Sequence, residues 1–580
     1  MYLSFGRKQQ LLSSHQASAI HAAMPPRAPA LRIDSQNELA RLPQPVRRML
    51  RDEFDVGASS NRFCPVQFED GTVAVVTVEA YQDSDQVDEL ERMVLRRQYR
   101  LADPSRLVVP APLLLALVRG QITGSSLRNR HKLLADGARS SMADAFHDMV
   151  AWGIEHDASD LHINVSTLAA ESEVRFTIGG QYVAPARFAR MPTVTLMEIL
   201  AVAWMDVQGG NGAVFDPMVE QQGRIYLEVR GRPVMLRWAS LATDAGAAVC
   251  LRILRLDARV DTSFEALGYL PGQIATLDRA RASEGGAIVL AGVVGSGKST
   301  TIAAMMSMIP AARKVITLED PVEYLIPGAL QNTVTRPLDD GRRESFEAKL
   351  KTVKRSAMND LLVGEIRDRE TGRAFMDLVG SGTSLYTTVH AGSAMLIPDR
   401  LASDFIGVSR DLLATPGILK LLVYQALLPR LCPHCALTLD AVCDTDRDGW
   451  LRYVDRIARL YQVDPGGLRF RNPLGCAQCR TRQLAELNGL AGRTVVAEMI
   501  EPGADDLFLQ CVRQGDNIRL RRHLAQMRAA PFDAPDMHGK TAMECAIYKA
   551  LHGQIDPRDV EARFKAFETV ALERAQQGRA

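Results

Sequence analysis

Gly292-Val-Val-Gly295-Ser296-Gly297-Lys298-Ser299-Thr300 follows the apolar run Ala287-Ile-Val-Leu-Ala291 and precedes a stretch, Thr301 to Met308, that reads as a helix. A buried strand, a glycine-rich turn and a helix opening on Lys-Ser are the parts of a phosphate loop. The glycines let the backbone curl until successive N–H groups face one centre, and the first helical turn adds unpaired donors and the positive end of its dipole. In such a loop Gly292, Gly295, Ser296, Gly297 and Thr300 surround the phosphates and Lys298 reaches the outer ones. Ser299 binds the Mg2+ that accompanies a nucleotide such as ATP.

Three further elements fit the same mononucleotide-binding sheet. In Thr317-Leu-Glu319-Asp320-Pro321-Val-Glu323-Tyr324 a strand runs into a turn rich in carboxylates, at the end of a strand where open sheets collect ligands. A carboxylate beyond the terminal phosphate can position an attacking water and relieve it of a proton, and Glu323 is the candidate base. Glu319 and Asp320 either join that site or cap a following helix. Asp360-Leu-Leu-Val-Gly364-Glu365-Ile-Arg367-Asp368 is an apolar strand ending in acids. Glu365 there suits Mg2+ or its water, and Arg367 with Asp368 reads as an orienting ion pair. Thr387-Thr-Val-His390-Ala-Gly392 ends a strand on an imidazole, either a sensor of the terminal phosphate or an ordinary satisfied histidine.

A chain of 580 residues carries roughly three or four domains with real cores. Its formal charge of +1 gives no field favouring nucleic acid, and none is expected as a partner. The longest apolar runs, Val108 to Val118 and Ala287 to Val294, fall short of a spanning helix, and the first residues lack the apolar core of a signal peptide, so a soluble, intracellular protein is expected. Residues 1–135 read as a partly disordered start, a short helix near Pro45 to Glu53, two strands around Asp70-Gly71, a helix from Asp83 to Arg100, and a strand–helix pair at Leu107 to Val109 and Pro112 to Val118. Residues 136–260 open on an amphipathic helix, Met142 to Glu155, and continue as strands at Asp160 to Ile163, Val174 to Ile178, Gly223 to Val229 and Pro233 to Trp238, an α+β domain. Leu256 to Thr262 reads as a linker, and residues 261–580 as a parallel-sheet α/β core.

Four of the nine cysteines pair as Cys432-Pro-His434-Cys435 and Cys476-Ala-Gln-Cys479. Two CxxC turns in a reducing compartment point to a closed shell of four thiolates for structural Zn2+, with a redox pair as the alternative. His434 is surplus to that shell.

Taken together, the four boxes resemble those of the secretion and pilus motor ATPases that drive type II secretion, type IV pilus assembly and retraction, and conjugative machines. The resemblance implies a RecA-like P-loop core preceded by a PAS-like α+β domain and a small N-terminal α/β docking module, with a zinc-binding subdomain over about residues 428–500 and C-terminal helices beyond it. It implies catalytic roles for Lys298, Glu323, Glu365 and His390. It also implies that arginines of the second domain, Arg175 and Arg237 with Arg252 as a further candidate, reach phosphates across a subunit boundary. The four cysteines point to the assembly and secretion branch rather than to retraction motors. A cytoplasmic homo-hexamer peripheral to the bacterial inner membrane and docked on a platform protein follows from the same resemblance; the alternatives are a retraction or conjugative motor, or a nonhydrolysing scaffold. Two positions depart from the family pattern: Asn359 stands where an aspartate is usual, and Thr383 where the His box carries an upstream histidine.

Overall fold

The computed structural model describes residues 29–118, 141–258, 263–334, 346–480 and 484–577, apart from positions 34–35, 52, 55, 57–58, 61 and 445. The expected disorder of the first residues lies outside this set, as does residues 259–262 of the expected linker. The chain divides into two units, Met1–Arg139 and Ser140–Ala580.

In the first unit Leu31–Arg32 (β1), Val46–Met49 (β2), Phe63–Phe68 (β3), Thr72–Thr77 (β4) and Arg100–Val108 (β5) form one sheet in the order β1-β5-β4-β3-β2. The β3–β4 hairpin turns at Asp70-Gly71, where Gly71 takes φ +83° and Asp70 Oδ1 accepts from the Thr72 N–H at 2.9 Å. Helix Asp85–Arg96, capped by Ser84, crosses from β4 to its parallel neighbour β5. Buried Arg106 on β5 ties that crossover down, donating from Nε to Glu91 Oε1 at 2.9 Å. The stretch expected as a helix near Pro45 to Glu53 is instead β2, antiparallel to β3. Helix propensity is a weak prior, and the open edge of β3 offers Val46 and Met49 a ladder to complete. The strand expected at Leu107 begins earlier, at Arg100, because β4 pairs with it along that length.

The second unit opens with helix Ser141–Glu155, whose buried Phe146, Met149, Val150 and Gly153 recur at helical spacing. Its sheet consists of Ala158–Asn164 (β6), Glu171–Ile178 (β7), Gln181–Val183 (β8), Met191–Pro192 (β9), Gln221–Val229 (β10), Arg232–Thr243 (β11) and Gly246–Arg255 (β12). The order is β10-β11-β12-β6-β7-β8, with β9 on β7, and helix Thr193–Trp204 lies against the same core. Gly153 lets the first helix sit close to the sheet, since a Cβ there would meet Ile253 at 3.0 Å and Phe176 at 3.1 Å.

The third sheet comprises Ala287–Ala291 (β13), Val315–Glu319 (β14), Ala329–Thr333 (β15), Asp360–Val363 (β16), Ser384–Val389 (β17), Leu419–Leu431 (β18) and Leu490–Ile500 (β19), ordered β15-β14-β16-β17-β13-β18-β19. Its strands run parallel up to β18, and β19 turns antiparallel. β13, β16 and β17 are buried along their whole length; β13 reads as an unbroken apolar run, as strands covered on both faces do, while β16 opens on Asp360 and β17 carries Ser384, Thr387 and Thr388. The molecule is thus a mixed α/β protein with a RecA-like core. Nothing in the apolar pattern marks β18 and β19 as a pair, because their partners are fixed by the fold and not by a short turn.

Glu498 on β19 is buried and joins two elements distant in sequence: it accepts from the backbone N–H groups of Ala394, just past β17, and of Ala542 at 3.0 Å, at the start of helix Ala542–Leu551. Burial pushes its carboxyl from the ordinary 4.5 up to about 7, against those two donors. The folded state therefore holds a proton that the unfolded chain loses above pH 4.5, so this group's contribution to stability falls as pH rises from 4.5 towards 7. Thermal melts of Glu498→Gln and wild type should show the variant gaining on the wild type across that window, and a constant gap between the two curves would contradict it.

Candidate functional site

β13 delivers the chain into the phosphate loop at the carboxyl edge of the sheet, with β17 on one side and β18 on the other. Gly295 at φ +75° and Gly297 at φ +83° hold the left-handed backbone that the curl requires. A Cβ on Gly292 would land 2.5 Å from both Ser296 Oγ and the Gln425 carbonyl oxygen. Helix Lys298–Ser307 starts directly behind Gly297, so its opening N–H groups face the loop. Lys298 Nζ folds back to donate to the carbonyl oxygens of Gly292 at 2.9 Å and Val293 at 3.0 Å. Burial pulls the Lys298 ammonium down, while the charges of Glu365 and Glu323 pull it up. Ser296 Oγ is buried with no hydrogen-bond partner among the described residues, a polar atom poised for a ligand oxygen.

The strands beside β13 bring the other boxes to the same edge. His390, past the end of β17, faces the Gly292 carbonyl oxygen with Nδ1 at 3.1 Å and Glu365 Oε1 with Nε2 at 3.2 Å. A carbonyl oxygen only accepts, so Nδ1 carries a proton there. Glu365 follows β16, and Thr388 of β17 donates to the Gly364 carbonyl oxygen at 2.8 Å, fixing the two strand ends together. Glu319, Tyr324, Gly364 and Thr388 line a cleft with Ser299. Burial pushes the Glu319 carboxyl up, although Gln331 donates to it at 3.2 Å. Tyr324 accepts from Thr300 Oγ1 at 3.2 Å. Asp320 caps no helix: its carboxylate meets Arg224 and Arg367, each at 3.4 Å, and its carbonyl oxygen accepts from Arg237 at 3.4 Å. Arg367 lies nearer to Asp320 than to Asp368, 3.9 Å away, and Asp368 instead caps helix Arg369–Gly380.

The second domain presents a row of arginines to that turn. Cross-strand register sets Arg224, Arg237 and Arg252 side by side on β10, β11 and β12, with Asp160 next on β6. Arg252 Nε donates to Asp160 Oδ1 at 3.0 Å. Arg175 on β7 donates to Glu173 at 2.8 Å and lies over the Tyr182 ring. Both departures from the family pattern, Asn359 and Thr383, fall at the starts of β16 and β17, a strand's length from the phosphate loop. Asn359 accepts from the Lys314 N–H at 2.9 Å, and Thr383 meets Ser381.

Two residues have roles at the site that the motifs do not mark, one bracing the phosphate loop and one meeting Asp320. Gln425 on β18 is fully buried, donates to the Ser296 carbonyl oxygen at 2.8 Å and accepts from the Tyr269 hydroxyl at 2.6 Å. Only its place in the sheet identifies it. Arg224, by contrast, was reachable: the turn Arg230-Gly231, with both φ values positive, is a two-residue hairpin turn, and counting back from it sets 224 opposite 237.

The four cysteines converge at the far ends of β18 and β19, where their sulfurs all lie within 4.8 Å of one another. Cys432 Sγ lies 3.8 Å from Cys476 Sγ, and Cys435 Sγ 3.8 Å from Cys479 Sγ. Tetrahedral Zn–S bonds of about 2.3 Å require sulfur separations of about 3.8 Å, so the donor set fits zinc in identity and spacing. Although burial pushes it up, N–H groups of Cys476 and Gly489 hold the Cys479 thiol down to about 7. A Cβ on Gly475 would approach Cys479 Sγ to 3.0 Å, so the knuckle needs its glycine.

A RecA-like sheet with a phosphate loop and carboxylates at its carboxyl edge defines a nucleoside-triphosphate-using α/β protein. The family profile described as Type II/IV secretion system protein matches residues 138–538, and the chain belongs to that family. It is 30% identical over 373 residues to the type II secretion system protein E of Klebsiella pneumoniae, covering 64% of this chain and 67% of that one. It is 26% identical over 411 residues to the type IV pilus assembly ATPase PilB of Thermus thermophilus, covering 70% of this chain and 41% of that one. The crystal structure of the pilus retraction motor PilT with bound ADP aligns over 72% of this chain and 96% of its own, at 19% identity and a TM-score of 0.43. The chain is an ATPase of this secretion and pilus class. No helix among the described residues is long and apolar enough to cross a membrane.

Gln425→Leu should leave the Ser296 carbonyl oxygen and the Tyr269 hydroxyl buried without this partner, at about 1–3 kcal/mol for each such group. Titration with a fluorescent ATP analogue should show weaker binding by the variant, and unchanged affinity would mean that the brace is dispensable.

Proposed function

We propose that the chain works as a homo-hexameric motor on the cytoplasmic face of a bacterial inner membrane, hydrolysing ATP to drive the platform protein of a type II secretion or type IV pilus assembly machine. The observation that carries this reading is the glycine-curled phosphate loop running into the helix that opens on Lys298, with His390 linking the loop carbonyl of Gly292 to Glu365 at the same sheet edge. Lys298 and the loop N–H groups bind the outer phosphates. Glu323 takes the proton from the attacking water. Ser299 and Glu365 would hold Mg2+, which supplies charge neutralisation at the phosphate oxygens. His390, linking the loop carbonyl of Gly292 to Glu365, reports the terminal phosphate to the neighbouring strand.

Arg237 and Arg175 act in the assembled ring, where a guanidinium supplied by one subunit stabilises charge at its neighbour's site. Their present partners, the Asp320 carbonyl oxygen and Glu173, are exchangeable surface contacts that domain rotation can break. Cys432, Cys435, Cys476 and Cys479 would hold Zn2+ as a structural cross-link between the ends of β18 and β19. Residues 1–135 serve as the docking module. The cysteine shell and the secretion and pilus assembly relatives support the assembly and secretion branch.

Glu323→Gln should keep ATP affinity and lose roughly 100- to 10,000-fold in turnover, the range for loss of a positioned base. Lys298→Ala should weaken binding itself. Phosphate-release assays beside nucleotide titrations separate the two, and equal turnover in wild type and Glu323→Gln would remove that base.

A further inference from the structure

The segment Leu484 to Gly489, just past the second CxxC, belongs to two places at once. Its base is rooted in the four-cysteine site. The Gly489 N–H donates to Cys479 Sγ at 3.3 Å, and the Gly489 carbonyl oxygen accepts from the Cys432 N–H at 2.9 Å. Arg471 reinforces that base, donating to the Asn488 carbonyl oxygen at 2.8 Å and to that of Glu486 at 2.6 Å. Gly489 takes φ +78°, and a Cβ there would strike the Asn472 carbonyl oxygen at 2.3 Å, so the close approach admits no side chain.

The tip of the segment lies in the other domain. Leu484 is 7% exposed and sits in the apolar cluster built by Phe176, Val183 and Phe188, and Leu487 packs against the same cluster. The short turn Ala485–Leu487 touches β8, and the Glu486 carboxylate adds to the field around the Arg175 guanidinium. Arg175 and Tyr182, stacked across the β7–β8 hairpin, therefore sit beside the tip.

We infer that Leu484 to Gly489 is a clasp through which the four-cysteine site positions the hairpin carrying Arg175. Two backbone groups fasten the clasp to cysteines, and two leucines fasten it to the second domain. A cation held by all four sulfurs would fix Cys432 and Cys479, the two residues to which Gly489 is bonded, and its removal would free the root of the clasp and let the hairpin swing. Leu484 is a positioning residue, acting on Arg175 through packing and not on substrate.

The inference rests on the reading of the four cysteines as a zinc site, and its test keeps the two apart. Zinc content of the purified full chain is measured by elemental analysis, and hydrogen exchange is followed by mass spectrometry before and after stripping with a thiol-reactive mercurial and chelator. Stripping should speed exchange in Glu171–Val183 and in residues 484–489 while leaving Ala287–Ser307 at its starting rate. Leu484→Asp should speed exchange over Glu171–Val183 with zinc content unchanged, and Leu484→Met should restore the wild-type rate. A chain purified without metal would overturn the zinc reading but leave the Leu484 arm to decide the clasp. Unchanged exchange over Glu171–Val183 in Leu484→Asp would overturn the clasp whatever the zinc content. Acceleration of Ala287–Ser307 to the same degree on stripping would mean general unfolding and overturn it as well.

Discussion

The phosphate loop keeps its curl because one neighbouring strand braces it from the side. β18 places Gln425, at its middle, against the Ser296 carbonyl oxygen and, just past its carboxyl end, Cys432 in the four-sulfur shell. A buried amide that satisfies two groups at once is costly to move, since any displacement leaves buried polar atoms without a partner. The strand thus acts as a rigid bar between the nucleotide loop and the sulfur cluster. β19 doubles it and carries Glu498, which fastens the segment beyond His390 to the C-terminal helices. Whatever the loop does is felt along one continuous ladder.

Much of this site could be read from the chain before any coordinates. Lys298, Ser299, Glu323, Glu365 and His390 follow short, densely packed signals, because a loop, a strand end and a helix start are local events whose chemistry needs particular residues at fixed offsets. β13 was equally plain, being an uninterrupted apolar run, and the apolar residues of β16 led directly into the Gly364-Glu365 signal. The parts that stayed hidden depend on distant pairings. Gln425 looks like any polar residue in a strand until β13 lies beside it, and Leu484 like any exposed leucine until the second domain closes on it. The residues near Pro45 were misread for the same reason, since an open sheet edge outweighed their local preference. For Asp320 the sequence left two roles open, site carboxylate or helix cap, and its surroundings made it a meeting point for arginines.

Two of the contacts between the second domain and the rest of its unit differ in kind. Leu484 and Leu487 are apolar and shielded, so what they contribute is insensitive to dissolved ions and depends on area removed from water. The contacts at Asp320 are long and partly solvated, each individually weak. One side of the domain is therefore held by apolar packing and the other by weak polar contacts.

A carboxylate shared between two guanidinium groups, those of Arg224 and Arg367, also has a consequence for the medium in which the protein works. Charges at such separations in partial contact with water are screened over about 8 Å at physiological ionic strength. Dissolved electrolyte thus bears on Asp320 and hardly at all on the leucines, and brine loosens the latch while sparing the apolar grip.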